Sequence, residues 1–355
     1  MHSWSQVIGS RDNCQTWGWA AAPGDGLRPL PCEPSGNGII ASNNVTKGSV
    51  IIVSCNSSEY ISACIQALRA ACDWKIIVVD NASTDTSVEA AKGAAPSLCI
   101  LQNTENRGFA AAVNQGFQFA EGETCVLLNP DTVAQEHSLD KLAEALSQYQ
   151  VGAVGGALTL HEGSPERGFT VRRLPTLASM AAEVLLLNRV WPGNPWNRRY
   201  RCLDLDYTRP HEVEQPAGAC LAVRKQAWEQ IGGFDESFFP VWFDDVDFCR
   251  RLRQQGWKIR YCSDAPFFHV GGHSVHQLSF SQRQAFWYRN LLHYFAKHHS
   301  RAELGTLRLA VVGGLLLRSL LALLGFRPPG VSGREAVSAY VGAAWCHAIL
   351  GRDLR

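Results

Sequence analysis

KIIVVDNASTDTSVEAAKGAAPSLCILQN, Lys75 to Asn103, decides the fold. A continuous apolar run, KIIVVD, ends in a carboxylate. Polar residues follow, then TSVEAAKGA with helical spacing, then another apolar run, SLCILQN. Short apolar runs alternating with helices are strands buried on both faces, the pattern of a parallel sheet. The pattern extends in both directions. SVIIVSCN (Ser49–Asn56) and the helical EYISACIQALRA come before it. GFAAAVNQGFQFA, TCVLLNPD and HSLDKLAEALSQYQ come after it, and VGAVGGALTL reads as a fifth strand. Right-handed crossovers make this a doubly wound, mostly parallel α/β sheet with helices on both faces.

Such sheets bind ligands beyond the carboxyl ends of their strands. Those ends carry Ser54, Cys55 and Asn56; Asp80, Asn81, Ser83 and Asp85; Asn106, Arg107 and Gly108; and Asn129, Pro130 and Asp131. Singly these are common turn and cap residues, and Asp85 is expected to do no more than cap the next helix. Four polar ends converging on one edge favour a ligand site.

The second half is less regular. HEVEQPAGACLAVR suggests two strands around a Pro-Ala-Gly turn, and KQAWEQIGG a short helix stopped by Gly232 and Gly233. KIRYCSDAPFFHVGGHS reads as a strand and then a loop holding His269 and His273. SFSQRQAFWYRNLLHYFAKHHS is a long amphipathic helix. Between them VWFDDVDFCRRLRQQGW, Val241 to Trp257, places Asp244, Asp245 and Asp247 at a helix start beside large apolar groups. Carboxylates there are either solvated helix-start charges or parts of a site. Asp247 is set to pair with Arg250 or Arg251 as an ordinary surface contact.

The 355 residues are 46% apolar and 18% charged, and their formal net charge of +1 gives no pull toward nucleic acid. The 12 cysteines include no CxxC pair, and several lie in strand-like runs, as small buried hydrophobes in a reducing compartment do. Residues 1–47 lack periodicity and read as a disordered or loosely attached leader without signal-peptide character. Leu307 to Phe326 is the most apolar run, but Arg308 and Arg318 interrupt it. It fits an interfacial amphipathic helix, with a buried core helix as the alternative. WNRRYR, Trp196 to Arg201, reads as a solvated loop or as a contact for lipid headgroups or an acceptor's diphosphate.

Neither GxxxxGK[ST] nor a GxGxxG after the first strand is present, so P-loop hydrolysis and ordinary dinucleotide binding lose support. What remains is a nucleotide held by Asp and Asn side chains, its phosphates neutralised by Mg²⁺ or Mn²⁺. One carboxylate, Asp131, suffices where water and diphosphate complete the metal shell. If the ligand is a nucleotide sugar, a base must also take the proton of the acceptor hydroxyl. An aspartate walled by Trp242 and Phe243 fits, because burial raises its basicity.

The ordered set VSCN, VVDNASTDTS, NRGFAAAVNQG, LLNPDT, PAGACLAVR, GGFDESFFPVWFDDVDFCRRLRQQGW and HVGGHS resembles the inverting glycosyltransferases of family two, from about Gly48 to about His299. The resemblance implies a GT-A fold with a nucleotide-binding half (48–160), an acceptor-binding half (161–300) and a C-terminal helical extension (301–355). By the same resemblance Ser54, Asn56, Asp80, Asn106, Gly108, Asn129 and Asp131 hold the nucleotide sugar. Asp131 holds the metal, and His269 either completes the metal shell or is a structural histidine. Asp245 is the catalytic base, and Gly218, Trp242 and Asp244 meet the acceptor. Asn129 stands where the family has the first aspartate of DxD, and Asp244 where it has glutamate.

RRLPT, RYRCLDLDYTRP, QPAGA and WYRNLLHY are most similar to bacterial rhamnosyltransferases. That resemblance implies dTDP-rhamnose as donor and a glycan or polyprenyl-diphosphate-linked saccharide as acceptor, in cell-envelope polysaccharide synthesis. It also implies a cytoplasmic enzyme in peripheral contact with the inner membrane; a homo-oligomer is left open. The alternatives are a transferase for a UDP-linked hexose, a nucleotide-sugar-binding protein without catalysis, and a nucleotidyltransferase. The last would carry a basic, Gly-rich loop after the first strand, which SCNSSEY is not.

Overall fold

The computed structural model describes residues 47–69, 74–95, 98–160, 162–271 and 277–351. The leader read from residues 1–47 lies outside these except for Lys47, and so does His273.

Strand β1 (Gly48–Ser54) runs parallel to β2 (Trp74–Asp80) and β4 (Thr124–Leu128), and β2 runs parallel to β3 (Cys99–Gln102). Side chains alternate across a strand, so β1 feeds two cores. Val50 and Ile52 pack with helices α1 (Ile61–Leu68) and α2 (Ser87–Ala94) on one face. Ile51 packs with α3 (Phe109–Phe117) on the other. Both faces of the strand are therefore dry, which is why its sequence shows no polar alternation.

The chain continues through β5 (Thr132–Ala134), α4 (Ser138–Ser147), β6 (Val151–Thr159) and β7 (Val171–Arg172). Next come α5 (Leu177–Val184), α6 (Leu187–Val190), α7 (Pro195–Tyr200), β8 (His211–Glu212) and β9 (Gln215–Pro216). Then follow β10 (Cys220–Arg224), α8 (Lys225–Ile231), α9 (Asp244–Gln254) and β11 (Lys258–His269). Among the described residues they complete a nine-stranded sheet in the order β3-β2-β1-β4-β10-β6-β11-β5, with β8 on β11. The sheet is mixed: β10 lies antiparallel between β4 and β6, and β11 runs parallel to β6 but antiparallel to β5.

Two local expectations change. WNRRYR is a helix, α7, because Asn194 caps it by accepting from the Asn197 amide and Pro195 opens it. His269 is the last residue of β11, since its pairing with Thr132 of β5 carries the strand past the predicted loop start.

A third core lies at the C-terminal end, where α10 (Phe280–His298), α11 (Arg301–Leu323) and α12 (Gly333–Ala343) pack together. It also takes in Phe243 and Val246 at the start of α9, whereas Phe248, Cys249 and Leu252 of the same helix belong to a sheet core. The apolar run within α11 is half buried. Leu307, Val311, Leu315 and Ala322 face the core, and Leu309, Leu316, Leu320 and Leu323 face outward. The buried-core reading of this run is thus met on one face only. Arg318, mid-run, binds the Val184 and Glu183 carbonyls that close α5. Gly314 permits the approach: a Cβ there would lie 2.0 Å from the Val184 oxygen.

Candidate active site

The polar strand ends open into a cavity of about 460 Å³. Asn106, Asn129, Asp131, Gly218, Trp242, Asp244, Asp245 and His269 all line it. So do Asn81 and Arg201, which the sequence reading had touched on only as a strand end and as part of WNRRYR, and Phe169, Arg172 and Gln215, which it had not assigned to the site. Ser54, Asn56, Asp80 and Gly108 are not part of the wall. Ser54 is fully buried, and its hydroxyl has no hydrogen-bond partner. Asn56 accepts the Thr84 amide at 2.7 Å. Asp80 accepts the Ser83 amide and hydroxyl, and burial pushes its carboxyl above the usual carboxylate range despite those bonds. Gly108 has φ +82°, and a Cβ there would lie 2.8 Å from the Phe239 ring, so close packing alone demands glycine.

Asn81 ties the loops after β2 and β3. Its amide nitrogen donates to Asn106 Oδ1 at 2.9 Å and to the Gly108 carbonyl at 3.2 Å, and its oxygen accepts the Arg107 amide at 3.0 Å. Asp85 accepts the Ser58 and Ser87 amides, so it fastens the start of α2 to the β1 loop, as a capping role requires.

Asp131 sits just before β5, and the β5–β11 pairing brings His269 beside it. Asp131 Oδ1 and His269 Nε2 are 3.7 Å apart, both buried and both without a hydrogen-bond partner. The other ring nitrogen, Nδ1, lies 2.8 Å from Glu166 Oε2, and Phe169 stacks on the imidazole at 5.1 Å. A proton on Nδ1 shared with Glu166 leaves the Nε2 lone pair facing Asp131. One carboxylate oxygen and one imidazole nitrogen suit a divalent cation that takes its remaining ligands from water and phosphate. Among the described residues no group of three or more His, Cys, Asp or Glu side chains could hold an ion. The donor set therefore fits Mg²⁺ or Mn²⁺ shared with a diphosphate, not a closed protein cage.

Across the cavity, Trp242 (φ +77°) and Phe243 (φ +67°) both take the left-handed conformation. This turns α9 sharply into the cleft with Asp244 and Asp245 at its start. Asp245 Oδ2 accepts Gln215 Nε2 at 2.9 Å and the Gly218 amide at 3.1 Å, and Oδ1 accepts the Val246 amide at 2.8 Å. Asp244 is buried; its Oδ1 accepts the Asp245 amide at 3.0 Å, and its Oδ2 has no partner. Burial, and then the adjacent Asp245 charge, hold the Asp244 carboxyl well above the usual carboxylate range. Burial likewise raises Asp245, against the bonds from Gly218 and Val246. The pair titrates as a unit.

The pH consequence has a definite sign. For the base role proposed for Asp245 below, the carboxyl must be deprotonated, so kcat/KM should fall as pH drops through the raised pKa of the pair, at higher pH than for an isolated aspartate near ~3.9. Asp244 is the member held higher, so it is already uncharged when Asp245 titrates, and Asp244→Asn should leave that acid limb near its wild-type position, read from the pH profile of kcat/KM. A group whose folded pKa is raised loses stability as pH rises through that pKa, so Asp244→Asn should also melt higher than wild type at neutral pH.

Asp247 overturns its surface reading. Its side chain is fully buried; Oδ2 accepts Arg251 Nε at 2.7 Å, and Oδ1 lies 2.8 Å from Lys297 Nζ and 2.6 Å from His298 Nε2. Burial would raise this carboxyl, but the His298 bond and the Arg251 charge hold it below the usual range. Arg250 instead reaches Tyr294 and the His298 carbonyl. Asp247 thus pins α9 to the end of α10.

Residues 49–232 match the model of glycosyl transferase family 2, and residues 196–350 that of glycosyl transferase family group 2. The N-acetylglucosaminyl-diphospho-decaprenol L-rhamnosyltransferase of Mycobacterium tuberculosis is 33% identical over 257 residues, 69% of this chain and 81% of the relative. Rhamnosyltransferase WbbL of Escherichia coli is 24% identical, over 70% of this chain and 92% of that one. In fold the chain is similar to the mannosyltransferase PcManGT from Pyrobaculum calidifontis, solved with GDP-Man and Mn²⁺. The TM-score is 0.50 at 16% identity, over 90% of this chain and 92% of that one.

Proposed function

The chain belongs to glycosyl transferase family 2, and from that premise we propose that it moves L-rhamnose from dTDP-rhamnose to a hydroxyl of a polyprenyl-diphosphate-linked saccharide, with inversion at the anomeric carbon. The reaction belongs to cell-envelope polysaccharide synthesis and takes place in peripheral contact with the cytoplasmic face of the inner membrane. One observation carries the reading: Asp131 and Asp245, 114 positions apart in the sequence, line a single cavity at the strand ends. The M. tuberculosis relative supports the choice of sugar and acceptor.

Asp245 takes the acceptor's hydroxyl proton. The freed oxygen forms a bond to the anomeric carbon as the bond to the nucleoside diphosphate breaks, and the diphosphate leaves with that electron pair. Gln215 and the Gly218 amide keep the carboxylate aimed into the cleft. Asn81 and Asn106 shape the nucleotide end. A divalent cation held by Asp131 and His269 would neutralise charge on the departing diphosphate. Glu166 fixes the imidazole so that Nε2 faces that position. Arg172 and Arg201 give the cleft positive charge on the acceptor's behalf.

The test is turnover of dTDP-rhamnose against UDP-linked hexoses with Mn²⁺ and a short-chain diphospho-N-acetylglucosaminyl lipid. Rhamnosylated product is expected from the first donor alone. Transfer from a UDP-hexose alone would overturn the donor, and donor binding without any product would leave a binding protein. Asp131→Ala should weaken Mn²⁺-dependent donor binding by about 10–100-fold in calorimetry. Equal affinity in the variant would remove Asp131 from the metal.

A further inference from the structure

We propose that the outward face of α11, together with the flanking segment 185–196, is a docking surface for an anionic lipid bilayer. This deepens the lipid-linked acceptor reading and rests on it.

Among the described residues, seventeen large apolar side chains are exposed, and fifteen of them fall in 185–196 or 309–350. On α11 they recur at helical spacing: Leu309 (75% exposed), Leu316, Leu320 and Leu323 (71%). No charged residue interrupts that stripe. The core covers only one face of this helix and leaves the opposite stripe bare, and a bare apolar stripe calls for cover. Leu185 flanks it, its Cδ2 3.8 Å from where a Cβ on Gly313 would lie. Val190 (84% exposed), Trp191 and Trp196 continue along that segment. Exposed tryptophans beside an aliphatic stripe are what a membrane–water interface selects.

Charge names the occupant. Residues 185–201 and 309–350 hold seven arginines, no lysine and a single acid, Glu335, in a chain whose formal net charge is only +1. Arg189, Arg198, Arg199, Arg327 and Arg334 are exposed. A second copy of the chain would set like charges against one another, which costs association energy. Anionic headgroups would neutralise them. Arg318 is not spent on lipid, since it closes α5. The same helix α5 lines the cavity with Met180 and Glu183. A bilayer on this face therefore lies one helix away from the cavity, where a lipid-anchored acceptor would arrive.

The experiment is flotation of the full chain with vesicles of phosphatidylcholine, alone or mixed with phosphatidylglycerol. Binding to the mixed vesicles is expected, weakening with salt. The triple variant Leu316→Glu, Leu320→Glu, Leu323→Glu should cut the bound fraction about tenfold or more at an unchanged melting temperature. Arg189→Glu with Arg198→Glu should abolish only the preference for anionic vesicles, and this variant decides the question should the triple variant misfold. Transfer to a water-soluble acceptor should survive in both, which separates failure of docking from failure of the proposed reaction. Wild type that never floats, or variants that float equally well, would overturn the surface. So would a wild-type dimer that the triple variant dissolves without any lipid binding.

Discussion

Asp245→Asn is expected to lower the rate of sugar transfer by about 10²–10⁴-fold while leaving donor affinity near wild type. The amide keeps the size of the carboxylate and one oxygen to accept from Gln215 or the Gly218 amide, so the cleft should hold its shape. What it loses is the basic lone pair. The donor contacts proposed above fall to Asp131, Asn106 and Asn129, which this substitution leaves in place, so calorimetry with dTDP-rhamnose and Mn²⁺ should barely change. Single-turnover release of dTDP with acceptor present reads the loss. Turnover that persists at the wild-type rate removes Asp245 as the base.

The second large effect concerns stability. Asp247→Ala leaves Arg251 and His298 around a buried position with no counter-charge, and removing one member of such a network costs about 3–5 kcal/mol. Urea unfolding should show this as a lower midpoint. Asp247→Asn should cost less, because it keeps a hydrogen-bond acceptor for one of the three partners. The wild-type contribution has a pH signature as well. Its folded pKa is depressed, so the stabilisation is complete above ~3.9, the ordinary value, and is lost as pH falls below that. An alanine variant as stable as wild type would mean that the cations relax into solvent.

The regular half of the fold was legible because its parallel strands are dry on both faces and β1, β2 and β3 are each followed by a helix. Periodicity could not show the reversed direction of β10, which reads as one more apolar run whichever way it points. The site was legible where function sits at strand ends or in a long motif: Asn106, Asn129, Asp131, Gly218, Asp244, Asp245 and His269 meet in one cavity. Glu166 and Gln215 were missed. Each is a lone polar residue in an irregular stretch, and its partner lies 103 or 30 positions away. Asp247 was misjudged for a related reason. The i+4 arginine is visible in the sequence, whereas Lys297 and His298 arrive only through tertiary packing. Gly108 attracted a ligand role that backbone crowding against Phe239 explains without one.

The helix that carries Asp245 is wedged between two cores: its first turn, with Phe243 and Val246, rests on the C-terminal helices, and its later turns rest on the sheet. A protein cut short before residue 301 would keep Trp287 and Tyr294 against Phe243 but bare the side of α10 that packs on α11 and α12, loosening the support of that first turn. Inactivity of such a fragment would therefore report a weakened support beside the aspartates as much as any loss of lipid attachment. Point changes on the outer leucines are the cleaner way to ask whether this enzyme works on a membrane.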